Sequence, residues 1–279
     1  MALTGSGPFG GTPTVVVKLG GDVLAGPALS AVAADLRQAG GRGTRVVIVH
    51  GGGPQVTALS QRLGLSPRVV GGRRVTDADT LDVVKMLIAG RLNVDLVAAL
   101  RAAGVQALGL AGSSGVVRAR RRPPRVVAGG GPDPIDFGLV GDVEGFDLSL
   151  LTLLAGAGYW PVLVAVGADG AGQVLNINAD VVASALATAV GAAALVAVTA
   201  VGGVRRDKDD PTTRIDRLTV AAARAAIASG AVQGGMIPKL EEAFGPLSAG
   251  VPAVHVVAPG EIARSLAQPG SAGTLLVPG

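Results

Sequence analysis

The sequence predicts an α/β fold, a three-layer αβα sandwich with a mainly parallel central sheet. Short valine-rich runs alternate with longer alanine- and leucine-rich stretches of helical period. Those stretches are long enough to serve as crossovers, which makes successive strands parallel and covers the sheet on both sides. Aromatic residues are scarce, so the core is built from small branched side chains, as in strands buried on both faces.

The runs Val15–Leu19, Arg45–Val49, Gln106–Leu110, Val162–Val166, Leu195–Thr199 and Ala253–Val257 read as strands. Ala28–Ala39, Pro54–Leu63, Ala78–Ala89, Asn93–Ala103, Leu148–Ala157, Ala179–Val190 and Val220–Ser229 read as helices. Arg118–Val143 breaks the rhythm, and Val116–Ala119, Val126–Val127 and Leu139–Asp142 are expected there as short antiparallel strands. One domain over residues 1–279 is expected: a flexible tail over 1–14, a lobe over about 15–170, and a second over about 171–279. The change of role falls near Gly167–Gly172, with no flexible linker. Val181–Val204 carries no charge, yet Gly191 divides it into a helix end and a buried strand rather than a membrane span. The N-terminus lacks the charged start and apolar block of a secretory signal, so a soluble cytoplasmic protein is expected.

Composition narrows the chemistry. The absence of cysteine excludes disulfides and thiolate chemistry, and two histidines are too few for a histidine-rich metal site. The formal charge of +4 suits anionic small substrates. The basic run Arg118–Arg125, RARRRPPR, has no interleaved aromatic to stack bases and reads as a solvated hairpin, not a nucleic-acid surface.

Positive charge is unevenly typed: four lysines stand against twenty arginines, and Lys18 and Lys239 both lie in glycine-flanked motifs. A slender ammonium suits a phosphate oxygen rather than a bidentate carboxylate fork. Lys18 ends a strand that runs into Gly20 and Gly21, and the second strand runs into Gly51, Gly52 and Gly53. Such turns let backbone N–H groups approach an anion at a helix start, though a lone glycine cluster is more often a structural turn. No G-x-x-x-x-G-K-[ST] loop, no G-x-G-x-x-G at the first strand and no G-x-S-x-G elbow occurs.

In this order KLGG (Lys18–Gly21), HGGGPQ (His50–Gln55), GRRVTD (Gly72–Asp77), NINAD (Asn176–Asp180) and GGMIPK (Gly234–Lys239) resemble the amino acid kinase family. The resemblance spans nearly the whole chain from about Val15 and is strongest to members that phosphorylate N-acetyl-L-glutamate. It implies transfer of the γ-phosphate of ATP to that substrate's side-chain carboxylate, an early step of arginine biosynthesis. An ionised carboxylate needs no general base, which fits His50 as a residue shaping the glycine turn.

By residue, the resemblance implies Lys18 and Lys239 as the catalytic amines and Asp180 as the anion that holds both in position; Asp180 reads equally well as a helix cap. It implies Gly52, Gly53, Arg74 and Asn176 as substrate-binding, with Arg73 the mere neighbour of the gripping arginine. Gly20, Gly21, Val201, Gly202 and Gly203 are implied as phosphate- or nucleotide-binding. No protein metal site is implied, because Mg²⁺ arrives with ATP, held mainly by phosphates and water. The first lobe becomes the amino-acid and dimerisation lobe, the second the nucleotide lobe, and a homodimer with no nucleic-acid or membrane partner is implied. The glycine- and proline-rich tail is a poor helix former, so insensitivity to free arginine is expected.

The chain departs from the family at three places. Ala200 stands where an aspartate is usual, Asp22 where a small hydroxyl or amide residue is usual, and AGSSG (Ala111–Gly115) lacks an acid. The residues leave open a related kinase acting on a carrier-protein-linked aminoadipate or glutamate, and a non-catalytic nucleotide-binding regulator.

Overall fold

The computed structural model describes residues 11–40, 43–127, 130–207, 209–232 and 236–279, without the side chains of Pro211, Pro238 and Lys239. The chain opens with β1 (Thr14–Leu19), α1 (Gly26–Gly40), β2 (Arg45–His50), α2 (Gly53–Arg62) and a hairpin of β3 (Val69–Val70) and β4 (Arg73–Arg74). Next come α3 (Ala78–Val84), a π-helical stretch Lys85–Leu92, and α4 (Asn93–Ala102). Then follow β5 (Ala107–Ala111), β6 (Val117–Arg121), β7 (Gly141–Phe146), α5 (Ser149–Gly156), β8 (Trp160–Val164), β9 (Val166–Ala168) and β10 (Val174–Asn176). The remainder is α6 (Ala179–Ala189), β11 (Ala194–Val198), β12 (Arg217–Thr219), α7 (Val220–Ala228), α8 (Met236–Ser248), β13 (Val254–Val257), α9 (Ile262–Ala267) and β14 (Thr274–Val277).

The central sheet runs β12-β14-β13-β11-β1-β2-β8-β5. All its pairings are parallel except β13 with β14. In β1, Val16 packs towards one helical layer with Leu186 and Leu240, whereas Val15 and Val17 pack towards the other with Leu36 and Leu96. That alternation carries Lys18 to the α6 side, since successive strand residues point to opposite faces. Strand order reverses at β1, which sits between β11 and β2, and the crevice at such a switch point lies at the strands' carboxyl ends.

The sequence expectations meet the structure unevenly. The expected strand Val162–Val166 is two strands, because the chain leaves the large sheet after Val164 and enters the four-stranded sheet β10-β9-β6-β7. Val126–Val127 forms no strand; the pairing there is an isolated bridge of Arg125 with Ile135. The helices expected at 78–89 and 93–103 are continuous through the π-helical stretch. Thr14, assigned to the tail, already pairs with Arg45, and residues 1–10 lie outside the described residues. The uncharged segment divides at Gly191 (φ +56°) as expected, and no described helix is long and apolar enough to cross a membrane. The basic run is matched by acids of its own hairpin: Arg121 to Asp136 at 2.8 Å and Arg122 to Asp142 at 2.6 Å.

Candidate active site

Lys18 is buried at 7 % exposure, and its Nζ lies 2.8 Å from Oδ1 of Asp180 in the first turn of α6. The helix cap is supplied elsewhere: Asn178 is the N-cap residue and its side chain accepts the N–H of Asp180 at 2.8 Å. The capping role read for Asp180 is therefore filled by its neighbour, and the Asp180 carboxylate is left to face the amine. A carboxylate in a first helical turn is also favoured by the helix dipole.

The second glycine turn is held from below. His50 is fully buried and donates from Nδ1 to the carbonyl of Gly51 at 3.0 Å, while its Nε2 accepts from Asn93 Nδ2 at 2.9 Å. Asn93 spends its other amide hydrogen on the carbonyl of Val162 at 3.1 Å. Burial lowers the His50 pKa to about 4, so the ring is neutral near pH 7 and acts as a strut. Gly52 fits closely under the π-helical stretch, where a Cβ would come 2.5 Å from Leu92 Cδ1. Gln55, in the first turn of α2, donates from Nε2 to the carbonyl of Gly21 and so ties the two glycine turns together.

In GRRVTD, Arg74, Thr76 and Asp77 have separate tasks. Arg74 donates from one Nη2 to Gly53 O at 2.9 Å and Thr57 Oγ1 at 2.7 Å, while its Nη1 is buried with no partner. Thr76 accepts from Asn176 Nδ2 at 3.1 Å. Asp77 caps α3 by accepting the N–H of Thr80 at 2.8 Å. The unused Nη1 is the group an anionic ligand would satisfy, since a buried donor left unpaired is costly.

A cavity of about 450 Å³ lies between these groups, lined by Lys18, Gly20, Gly21, Gly52, Gly53, Arg74, Asn176 and Asp180 among others. The expected site residues Lys18, Gly20, Gly21, Gly52, Gly53, Arg74, Asn176 and Asp180 therefore share one cavity. Val201, Gly202 and Gly203 do not line it; they follow β11, beside the end of β1. Gly202 has φ +68°, and a Cβ there would meet Ala258, so that turn requires glycine. Lys239 lies in the first turn of α8, which packs against α6 with Ser184 Oγ donating to Glu242 O at 3.0 Å; the Lys239 side chain is outside the described residues.

Four features escaped the sequence reading. Arg73, taken as a bystander, also lines the cavity, and its pKa is lowered by burial and by Arg125 and Arg122. Arg122 lines it too, although in sequence it is one of a basic run. The Glu242 carboxyl is pushed up by burial and by Asp180. Gln55, the last residue of HGGGPQ, joins the two glycine turns. Only the last carried a local signal, its place directly after the glycine turn. Finally, the departures at positions 22 and 200 meet: Asp22 Oδ2 accepts the N–H of Ala200 at 2.8 Å.

A family model described as the amino acid kinase family matches residues 13–258. An acetylglutamate kinase of Sorangium cellulosum is 55% identical over 271 residues, covering 96% of this chain and 95% of the relative. One of Anaeromyxobacter dehalogenans is 54% identical over 268 residues, covering 95% and 98%. Among solved structures, N-acetylglutamate synthase of Neisseria gonorrhoeae superposes with a TM-score of 0.81 at 23% identity, covering 96% of this chain and 60% of that one. Carbamate kinase of Giardia lamblia superposes with a TM-score of 0.70 at 16% identity, covering 96% and 99%. These two likenesses speak to the fold alone.

Proposed function

Because the chain belongs to the amino acid kinase family, we propose that it transfers the γ-phosphate of ATP to the side-chain carboxylate of N-acetyl-L-glutamate, giving ADP and N-acetyl-L-glutamyl 5-phosphate in arginine biosynthesis. One observation carries the reading: the cavity sets the Lys18–Asp180 pair opposite an arginine with an unused donor. An ammonium suits the migrating phosphoryl, and a guanidinium suits the carboxylate at the amino-acid end of the acceptor.

In this mechanism Arg74 and Asn176 fix the acceptor, and the Gly52 and Gly53 backbone borders its reactive carboxylate. That carboxylate attacks the γ-phosphorus in line while Lys18 offsets the charge on the equatorial oxygens. Asp180 keeps the Lys18 amine in place and reduces its repulsion with Lys239, which acts on the leaving side. Gly21 supplies a backbone donor beside Gly20, whose own N–H is held by Val198 O, and Val201–Gly203 border the nucleotide. The amino-acid half ends near residue 170 and the nucleotide half follows it. Mg²⁺ would arrive with ATP, held mainly by phosphates and water, and would offset the phosphate charge there. The enzyme works in the cytoplasm as a homodimer, a state supported by the exposed Met86 and Val94 on the long helix of residues 78–102.

The test is ADP release with N-acetylglutamate, glutamate and aspartate offered separately. Strong preference for N-acetylglutamate is expected. No turnover with it rejects the reading in favour of a carrier-linked acceptor or a non-catalytic regulator.

A further inference from the structure

We infer that Asp22 is a positioning residue that joins the first glycine turn to the loop after β11 and thereby presets the nucleotide crevice. This rests on the phosphotransfer reading above, and goes beyond it by giving a task to a residue outside the cavity and outside the proposed machinery.

β1 and β11 run parallel and end together, Leu19 opposite Val198. The last backbone rung between them is the N–H of Gly20 donating to Val198 O at 3.3 Å. Beyond it the two chains diverge. One enters the tight turn Gly21–Val23, closed by Val23 N–H to Gly20 O at 3.3 Å. The other enters Thr199–Val204, where Thr199 Oγ1 accepts the N–H of Gly202 at 3.2 Å. The Asp22 side chain then supplies one more rung, its Oδ2 accepting the N–H of Ala200 at 2.8 Å across 178 residues of sequence.

Two consequences follow. The carboxylate points at the β11 loop rather than into the cavity, which Asp22 does not line. It also fixes the spacing of the two loops that border the proposed nucleotide site, so that less ordering remains to be done when ATP binds. What the structure needs at position 22 is an acceptor; the negative charge itself works against nearby phosphates. An amide carbonyl would accept the same N–H without that charge.

The experiment compares wild type, Asp22→Ala and Asp22→Asn by calorimetric binding of a non-hydrolysable ATP analogue with Mg²⁺, and by separate KM and kcat values in ADP release. Asp22→Ala is expected to weaken the analogue and raise the KM for ATP about tenfold, the scale of one lost hydrogen bond to a charged acceptor. The KM for N-acetylglutamate should hold. Asp22→Asn should bind the analogue as tightly as wild type or more tightly. Backbone exchange at Ala200 should speed up in Asp22→Ala and be restored in Asp22→Asn. Unchanged or tighter binding in Asp22→Ala overturns the inference, and so does an equal loss in both variants. A wild type that binds the analogue yet releases no ADP with N-acetylglutamate defeats the acceptor assignment alone, since the binding comparison is still read.

Discussion

The buried amine of Lys18 lies 2.8 Å from the carboxylate of Asp180, a contact joining a central strand of the sheet to the helix that begins within NINAD. Alternation along β1 directs the lysine to that face, and Asn178 takes the capping work that would otherwise occupy the aspartate. Lys18→Ala is predicted to lower kcat by about 10²–10³-fold, the usual consequence of removing one preorganised charge stabiliser. Single-turnover phosphoryl transfer measures it; near-wild-type rates would remove Lys18 from the chemistry.

Arg74→Ala should act on the acceptor. The KM for N-acetylglutamate is expected to rise on the order of 10–100-fold, consistent with losing a charge-assisted contact. The KM for ATP should be unchanged. Arg74→Lys should not rescue it, because one ammonium cannot serve Gly53, Thr57 and a carboxylate in the geometry of a planar fork. A variant whose ATP KM alone changes would place Arg74 on the wrong side of the reaction.

Gly52→Ala should disturb the site through packing. The added methyl would sit 2.5 Å from Leu92 Cδ1 and 3.2 Å from Ile88 Cγ1, both on the π-helical stretch. A stability loss of about 1–3 kcal/mol is expected from overpacking, with reduced turnover as the turn shifts. Urea unfolding and steady-state kinetics read the two effects; wild-type values in both would show that the turn tolerates the change.

Both histidines make stability depend on pH. Burial lowers the pKa of each from 6.5 to about 4, so the folded state favours the neutral rings. Between those values the unfolded chain takes up protons that the folded chain refuses. The contribution is therefore complete above about pH 6.5, falls as pH drops, and levels off below about pH 4. The slope is roughly 1.4 kcal/mol per pH unit per histidine. Urea midpoints from pH 7 to pH 5 should decline, and less steeply in His255→Leu, which removes a ring nitrogen that has no partner. Equal slopes in the two proteins would contradict this.

Much of the fold was legible because it follows from valine period and crossover length. The alternation Val15, Val16, Val17, Lys18 states both the buried strand and the side to which the lysine turns. Elements that lack such a pattern were missed. α8 carries Gly245 and Pro246 inside it and begins in a motif that reads as a turn, and α9 has only six residues. β12 and β14 are short strands at one end of the sheet. In the site, Lys18, Asp180 and Arg74 stood out by residue type and motif. Arg122 was hidden because its partner Asp142 and its place at the cavity exist only after the hairpin forms. The Asp22–Ala200 bond was hidden for the same reason: each looked like an isolated departure until the parallel pairing of β1 and β11 brought them together.

The most direct test of the account is a crystal structure with Mg²⁺, ADP, aluminium fluoride as the phosphoryl mimic, and N-acetylglutamate. The amines of Lys18 and Lys239 should both lie within hydrogen-bond distance of the fluoride or its bridging oxygens, with Asp180 between them. Amines directed into separate regions of the liganded protein would contradict it.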